Sequence, residues 1–154
     1  MSCTTRPIRE NEVDGINYHY LTNKEFTKQV LNGEMLEATV FNNWCYGTSI
    51  KNLNENTLNI GVFNPEGIEI LQEANNIDLT IIYIVASDKV RLLRQLNREE
   101  NPNCDEIVRR YGADKKDFRQ ERIDAINPDY KILNNGDKTI DLLAQEFATA
   151  YAIG

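Results

Sequence analysis

A chain of 154 residues with 41% hydrophobic and 27% charged side chains fits one globular domain around one core. Its net charge of −7 and pI of about 4.8 exclude a broad nucleic-acid-binding face, which needs surplus positive charge; a few local arginines can still hold one small anion. The longest apolar stretch, Leu79 to Ala86, is interrupted by Thr80 and far too short for a bilayer, and the first residues form no apolar signal segment, so a cytoplasmic protein without membrane contact is expected. Cys3, Cys45 and Cys104 form no CxxC pair and His19 is the only histidine, which predicts reduced thiols and no metal site.

Along the chain, Arg9 to Gly15 is polar and ends in an Asp14-Gly15 turn signal. Tyr18 and Tyr20 alternate with polar neighbours as in a strand. Thr22-Asn23-Lys24-Glu25 reads as a capping box for a helix carrying Phe26 and Val30, stopped by Asn32-Gly33. Met35 to Phe41 and Thr57 to Phe63 read as strands. Asn64-Pro65 offers an N-cap followed by proline at the first helical position, for a helix through Ile68 and Leu71. Leu79 to Val85 has the β-branched composition of a buried parallel strand. Ser87 caps a helix with Val90, Leu93 and Leu96 on one side. Glu99 to Asp105 reads as a mobile polar loop, and another helix begins near Asp105. Tyr130 to Leu133 is a short strand, and Ile140, Leu143, Phe147 and Tyr151 mark the apolar face of a last helix. Strands alternating with helices predict an α/β sheet.

Two groups of residues suggest chemistry. Arg6 and Arg9 stand three residues apart beside Ser2, Thr4 and Thr5, with Tyr18 further on. Guanidinium forks match phosphate oxygens and a tyrosine adds a neutral donor, although a solvated basic turn has the same composition. The second group is Glu37 in an apolar strand, followed by Tyr46-Gly47-Thr48. A carboxylate has two acceptors and no donor, which suits the adjacent ring N–H and exocyclic amine of guanine and not adenine. Alternation alone points Glu37 to water.

TTRPIR, ENEVDGINYHY, GEMLE and YGTS occur in the order and close to the spacing of guanylate kinases, and from Ser2 to Thr48 the chain resembles that family specifically. The resemblance continues more weakly to the end. It implies an α/β fold of P-loop-kinase type: a parallel sheet with helices, here missing the first strand and P-loop, with a small GMP-binding β subregion and a helical lid. The implied organisation is a single domain over 1–154, with an acceptor-nucleotide region at about 1–50, a lid at about 94–125 and the remainder core. Arg6, Arg9, Tyr18 and Tyr46 match residues that hold the GMP phosphate, and Ser2, Glu37 and Thr48 match residues around the guanine. Gly61 to Gly67 aligns with a segment that carries aspartates where this chain has Val62 and Asn64; Asn64 serves as an N-cap and is kept as a base-contacting candidate. Arg94, Arg98, Arg109 and Arg110 resemble the lid, with Arg98 and Arg110 the best matches, although an ordinary charged helix pair has the same residues. Asn134 sits where the family has a loop touching adenine.

The string GxxxxGK[ST], whose backbone N–H groups, lysine and hydroxyl hold the donor phosphates and magnesium, does not occur in these 154 residues. In the family it lies about one strand and one helix upstream of the TTR segment, before Met1 here. The resulting expectation is a non-catalytic nucleotide-binding protein that sequesters or senses a guanine or purine nucleotide or nucleotide-derived signal. It would have no cofactor of its own, ATP and Mg²⁺ entering only with a supplied P-loop. The alternatives are a guanylate or nucleoside monophosphate kinase whose N-terminal part is absent or supplied by another chain, and a protein-interaction scaffold. Loss of a central strand exposes sheet edges, which predicts a homo-oligomer.

Overall fold

The structure, a computed structural model, describes all residues except 55, 75, 76, 99 and 154. The chain divides into two compact units, Met1–Ile77 and Asp78–Gly154.

The first unit is built on a four-stranded mixed sheet of β1 (Ser2–Thr4), β2 (His19–Tyr20), β3 (Met35–Phe41) and β4 (Trp44–Ser49), in the order β2-β1-β4-β3. β1 runs parallel to β2 and antiparallel to β4, and β3 and β4 form an antiparallel hairpin. Its two-residue turn, Asn42-Asn43, has both φ angles positive (50° and 66°), the type I′ twist that matches two paired strands. Helix α1 (Asn23–Leu31) begins at the predicted capping box: Thr22 Oγ1 accepts from the Glu25 amide, and the Glu25 carboxylate accepts from the Thr22 amide. It buries Phe26 under the sheet, where a Cβ on Gly47 would lie 3.1 Å from the Phe26 ring and 2.7 Å from the Glu37 carbonyl oxygen. Only glycine permits that approach. A 3₁₀ turn spans Ile50–Asn52, and α2 (Pro65–Glu73) starts at Asn64, whose side chain accepts from the Gly67 amide. α2 packs on β3 and buries Leu71.

Thr57 to Phe63, predicted as a strand, forms none. Alternation marks a strand only where a neighbour supplies a ladder, and no such neighbour exists among the described residues. The segment's start is tied instead by Asn59, which donates to the carbonyls of Asn54 and Thr57, while Leu58, Ile60 and Val62 are exposed, Val62 to 96%. The strand expected around Tyr18 and Tyr20 is shortened to His19–Tyr20; Tyr18 forms only an isolated bridge with Asp14.

The second unit holds a parallel pair, β5 (Ile82–Val85) and β6 (Tyr130–Leu133), in register Ile82↔Tyr130 to Val85↔Leu133. The parallel sheet expected from the resemblance is thus two strands among the described residues, and the larger sheet is mixed. Around the pair lie α3 (Asp88–Leu96, capped by Ser87), α4 (Cys104–Asp117, capped by Asn103), α5 (Gln120–Ile126) and α6 (Ile140–Ile153). Of the predicted loop from Glu99 to Asp105, Glu99 lies outside the described residues, and the helix after it starts one residue before Asp105. Ile107, Ile123, Ile126, Ile132 and Ala150 form the core, and Tyr83 stacks on Phe118 with ring centroids 6.3 Å apart. The predicted face of α6 is corrected at both ends, since Ile140 and Tyr151 are exposed. A 14-residue helix is about 21 Å long and the four residues of β6 span about 13 Å, so the strand covers only part of it. Among the described residues, no helix is long and apolar enough to cross a membrane.

Candidate functional site

One face of the first unit's sheet carries buried polar side chains: Thr4, Glu37, Thr39 and Thr48. Strand register explains the grouping. β4 places Thr48 opposite Ser2 of β1 and opposite Glu37 of β3. The pairing steps from Met35↔Ser49 to Glu37↔Thr48, so Leu36 is an extra, bulged residue. The bulge lies on the far side of Glu37 from the hairpin turn, so Glu37 keeps the face of Thr39 and Thr48, and it is 6% exposed.

Burial pushes the Glu37 carboxyl above its ordinary pKa of 4.5, opposed by hydrogen bonding from the Thr48 side chain and backbone. Ser2 Oγ lies 3.3 Å from Thr48 Oγ1. With the Thr48 hydroxyl donating to Glu37, Ser2 donates to Thr48, and the three residues form one relay ending on a carboxylate. Asn64 comes to the same carboxylate through α2. A Cβ on Gly67 would lie 3.1 Å from Asn64 Oδ1 and 3.5 Å from Glu37 Oε2. The proposed cap at Asn64 is present, and it borders the carboxylate as well.

Arg6 and the tyrosines form the other end. Arg6 is 8% exposed and bonds the Glu12 carboxylate twice, Nη1 to Oε2 at 2.9 Å and Nη2 to Oε1 at 2.8 Å. Tyr20 donates to Glu12 Oε2 at 2.8 Å, and the Arg9 amide donates to the same oxygen at 2.9 Å. Arg6 holds the Glu12 pKa down to about 2, and Glu12 in turn raises that of Arg6. The phenol of Tyr20 is pushed up, chiefly by burial and then by Glu12. Tyr18 packs edge-on to both Tyr20 and Tyr46, with ring centroids 6.0 and 6.2 Å away. The Arg9 side chain is exposed and makes no hydrogen bond or ion pair to the described residues. The sheet therefore gathers Ser2, Glu37, Thr48 and Asn64 at one end and Arg6, Tyr18 and Tyr46 at the other, with Arg9 on the adjoining loop. Sequence reasoning gave no role to Glu12 or Tyr20. Both lie within the ENEVDGINYHY string, but the string does not show that they meet Arg6 until the loop is folded.

Arg98 and Arg110 lie in the second unit. Arg98 is exposed and its side chain makes no hydrogen bond or ion pair to the described residues. Arg110 Nε donates to Glu106 Oε1 at 2.6 Å, and Glu106 also holds Arg109. The two guanidinium groups depress the Glu106 pKa to about 2. Asn134 Oδ1 accepts from Arg94 Nη2 at 2.8 Å.

The sequence model of the guanylate kinase family matches residues 1–145. The chain belongs to that family. It is 32% identical over 148 residues to a guanylate kinase of Wigglesworthia glossinidia brevipalpis, covering 91% of this chain and 70% of that protein. It is 32% identical over 125 residues to one of Sulfurimonas denitrificans, covering 78% of this chain and 60% of the relative. The chain thus spans well under the full length of both family members. The crystal structure of guanylate kinase from Anaplasma phagocytophilum shares the fold, with a TM-score of 0.66 at 23% identity over 98% of this chain and 72% of that one.

Mg²⁺ and a nucleoside triphosphate, which phosphotransfer in this family implies, have no fitting donor set here. GxxxxGK[ST] does not occur in the 154 residues, and the described residues contain no group of three or more His, Cys, Asp or Glu able to hold a metal. No step is therefore assigned to them.

Proposed function

We propose that this chain is the acceptor-nucleotide and lid portion of a guanylate-kinase-type phosphotransferase (ATP + GMP to ADP + GDP), and that its own residues bind the GMP. The carrying observation is Glu37, a buried carboxylate to which Thr48 alone donates among the described residues. A buried charge with so few donors is costly, and a ligand with two adjacent N–H groups supplies what is missing. Guanine offers that pair. Thr48 and Ser2 order the carboxylate's proton environment, and Asn64 lines the same edge. Arg9 and Arg6, with Tyr18 and Tyr46, hold the phosphate. Arg98 and Arg110 are lid candidates of the second unit, and the donor's P-loop is supplied from outside these 154 residues.

The sequence alone favoured a non-catalytic binder. The relatives carry the name guanylate kinase, and that supports the phosphotransfer reading over sequestration or scaffolding. Calorimetric titration of the chain with GMP and AMP tests the binding half. GMP should bind at least about tenfold more tightly, the difference expected of one charge-assisted bond pair. Equal affinity, or none for either, removes the reading.

A further inference from the structure

We propose that Glu12 is a positioning residue of the acceptor site: it grips Arg6 end-on, so that the guanidinium presents its Nε–Nη2 edge, a second two-donor fork, to the acceptor's phosphate. This rests on the acceptor-site reading above.

The donor inventory of Arg6 leads there. A guanidinium has five N–H groups in one plane. Nη1 uses both of its own, on Glu12 Oε2 at 2.9 Å and on the Pro7 carbonyl at 2.8 Å. Nη2 uses one, on Glu12 Oε1 at 2.8 Å. The remaining two, on Nε and Nη2, lie along one edge and have no acceptor among the described residues. That edge has the spacing that grips two phosphate oxygens.

The grip is itself braced. Glu12 Oε2 also accepts from the Arg9 amide and from the Tyr20 hydroxyl, so the carboxylate cannot swing away without breaking bonds on three sides. The Arg6 Cζ lies 5.8 Å from the ring centroids of both Tyr18 and Tyr20, which limits rotation of the guanidinium plane. Because the Arg6–Glu12 pair is neutral, Arg6 contributes geometry to phosphate recognition while the unpaired Arg9 contributes net charge. Glu12→Gln keeps the size but sets an amide NH₂ against an Arg6 donor, which breaks the end-on grip.

The test titrates the full chain, wild type and variants, with GMP and with guanosine, which lacks the phosphate. Glu12→Gln should weaken GMP about tenfold or more and leave guanosine unchanged. On an Arg6→Ala background the same change should cause no further weakening, because Glu12 acts through Arg6. Arg6→Lys keeps the charge and removes the fork, so it should reproduce the GMP loss with guanosine intact. Retained guanosine binding also reports that each variant is folded. The proposal is overturned if Glu12→Gln binds GMP as well as wild type or more tightly, since Glu12 would then be idle or a competitor of the phosphate. It is overturned equally if guanosine weakens in parallel, if the loss persists without Arg6, or if Arg6→Lys binds GMP normally. Failure of the wild type to bind GMP would remove the acceptor reading itself, a result distinct from these.

Discussion

Replacing Glu37 by glutamine separates recognition from stability, because the two should move in opposite directions. The substitution keeps volume, exchanges one acceptor oxygen for a donor nitrogen and removes the charge. Guanine's two donors then meet one acceptor and one opposing donor. Loss of one charge-assisted hydrogen bond costs about 1.5–3 kcal/mol, or about ten- to a hundredfold in GMP affinity. AMP, which lacks that donor pair, should change little.

Stability should move the other way. Burial raises the Glu37 pKa in the folded chain, so the folded state prefers the protonated form and the ionised form costs stability above that pKa. The cost grows as pH rises from the unfolded value near 4.5 through the raised folded value. Glu37→Gln avoids it, so the variant should melt higher than wild type at pH 7, with the difference shrinking toward pH 4.5. The same proton governs selectivity. The ratio of GMP to AMP affinity in the wild type should fall as pH drops through the raised pKa, and should be flat in Glu37→Gln; the ratio cancels titration of the phosphates. Calorimetry between pH 5 and 8, beside thermal unfolding, reads all three quantities. A variant that loses GMP and AMP equally, or a wild-type ratio independent of pH, would refute the reasoning.

Arg9→Ala should weaken GMP and AMP alike, by about tenfold, and leave guanosine binding and unfolding midpoint within error, since the side chain has no partner among the described residues whose loss could destabilise the fold. Gly47→Ala should destabilise by about 1–3 kcal/mol in urea unfolding, because its Cβ would meet the Glu37 carbonyl at 2.7 Å and force β3 from β4; an unchanged midpoint would mean the strands part freely. The 154-residue chain alone should not phosphorylate GMP from ATP, and steady turnover in a coupled assay would contradict the placing of the donor site outside it. The exposed apolar segment from Leu58 to Val62 and the short parallel pair favour self-association, so light scattering at micromolar concentration should give at least a dimer mass; a monomer mass would count against it.

The helix starts were legible because they are local chemistry. Thr22 with Glu25, Asn64 with Pro65, and Ser87 each satisfy amides a few residues away, and the structure places all three as caps. Strands were harder. Met35 to Phe41 was read with its observed bounds, yet Ser2–Thr4 and Trp44–Ser49 went unread, because three residues and a Gly-containing hexapeptide carry no periodic signal. Thr57 to Phe63 had the pattern and lacked the partner. The seven-residue α5 was too short to announce itself. At the site, Ser2, Glu37, Thr48 and Asn64 lie at one end of the sheet, brought together by strand register and the start of α2. The burial of Glu37 could not be read, since it depends on α2 packing over β3, and the Arg6–Glu12 grip depends on how a loop closes.

The Asn42-Asn43 turn sets a boundary on how this family member can drift. Both residues sit in left-handed conformation, and the count of residues between the two strands fixes which side chain of β3 faces which of β4. Glu37 and Thr48 are opposite because four positions of each strand separate them from that turn, the Leu36 bulge lying beyond them. A lineage gaining a single residue at the hairpin tip would exchange the inward and outward sides of a whole strand at once. Ligand preference would be lost without any change to the residues that read the ligand. Substitutions to glycine or aspartate at the tip are therefore open to it, while insertions and deletions there are open only when the register is restored elsewhere.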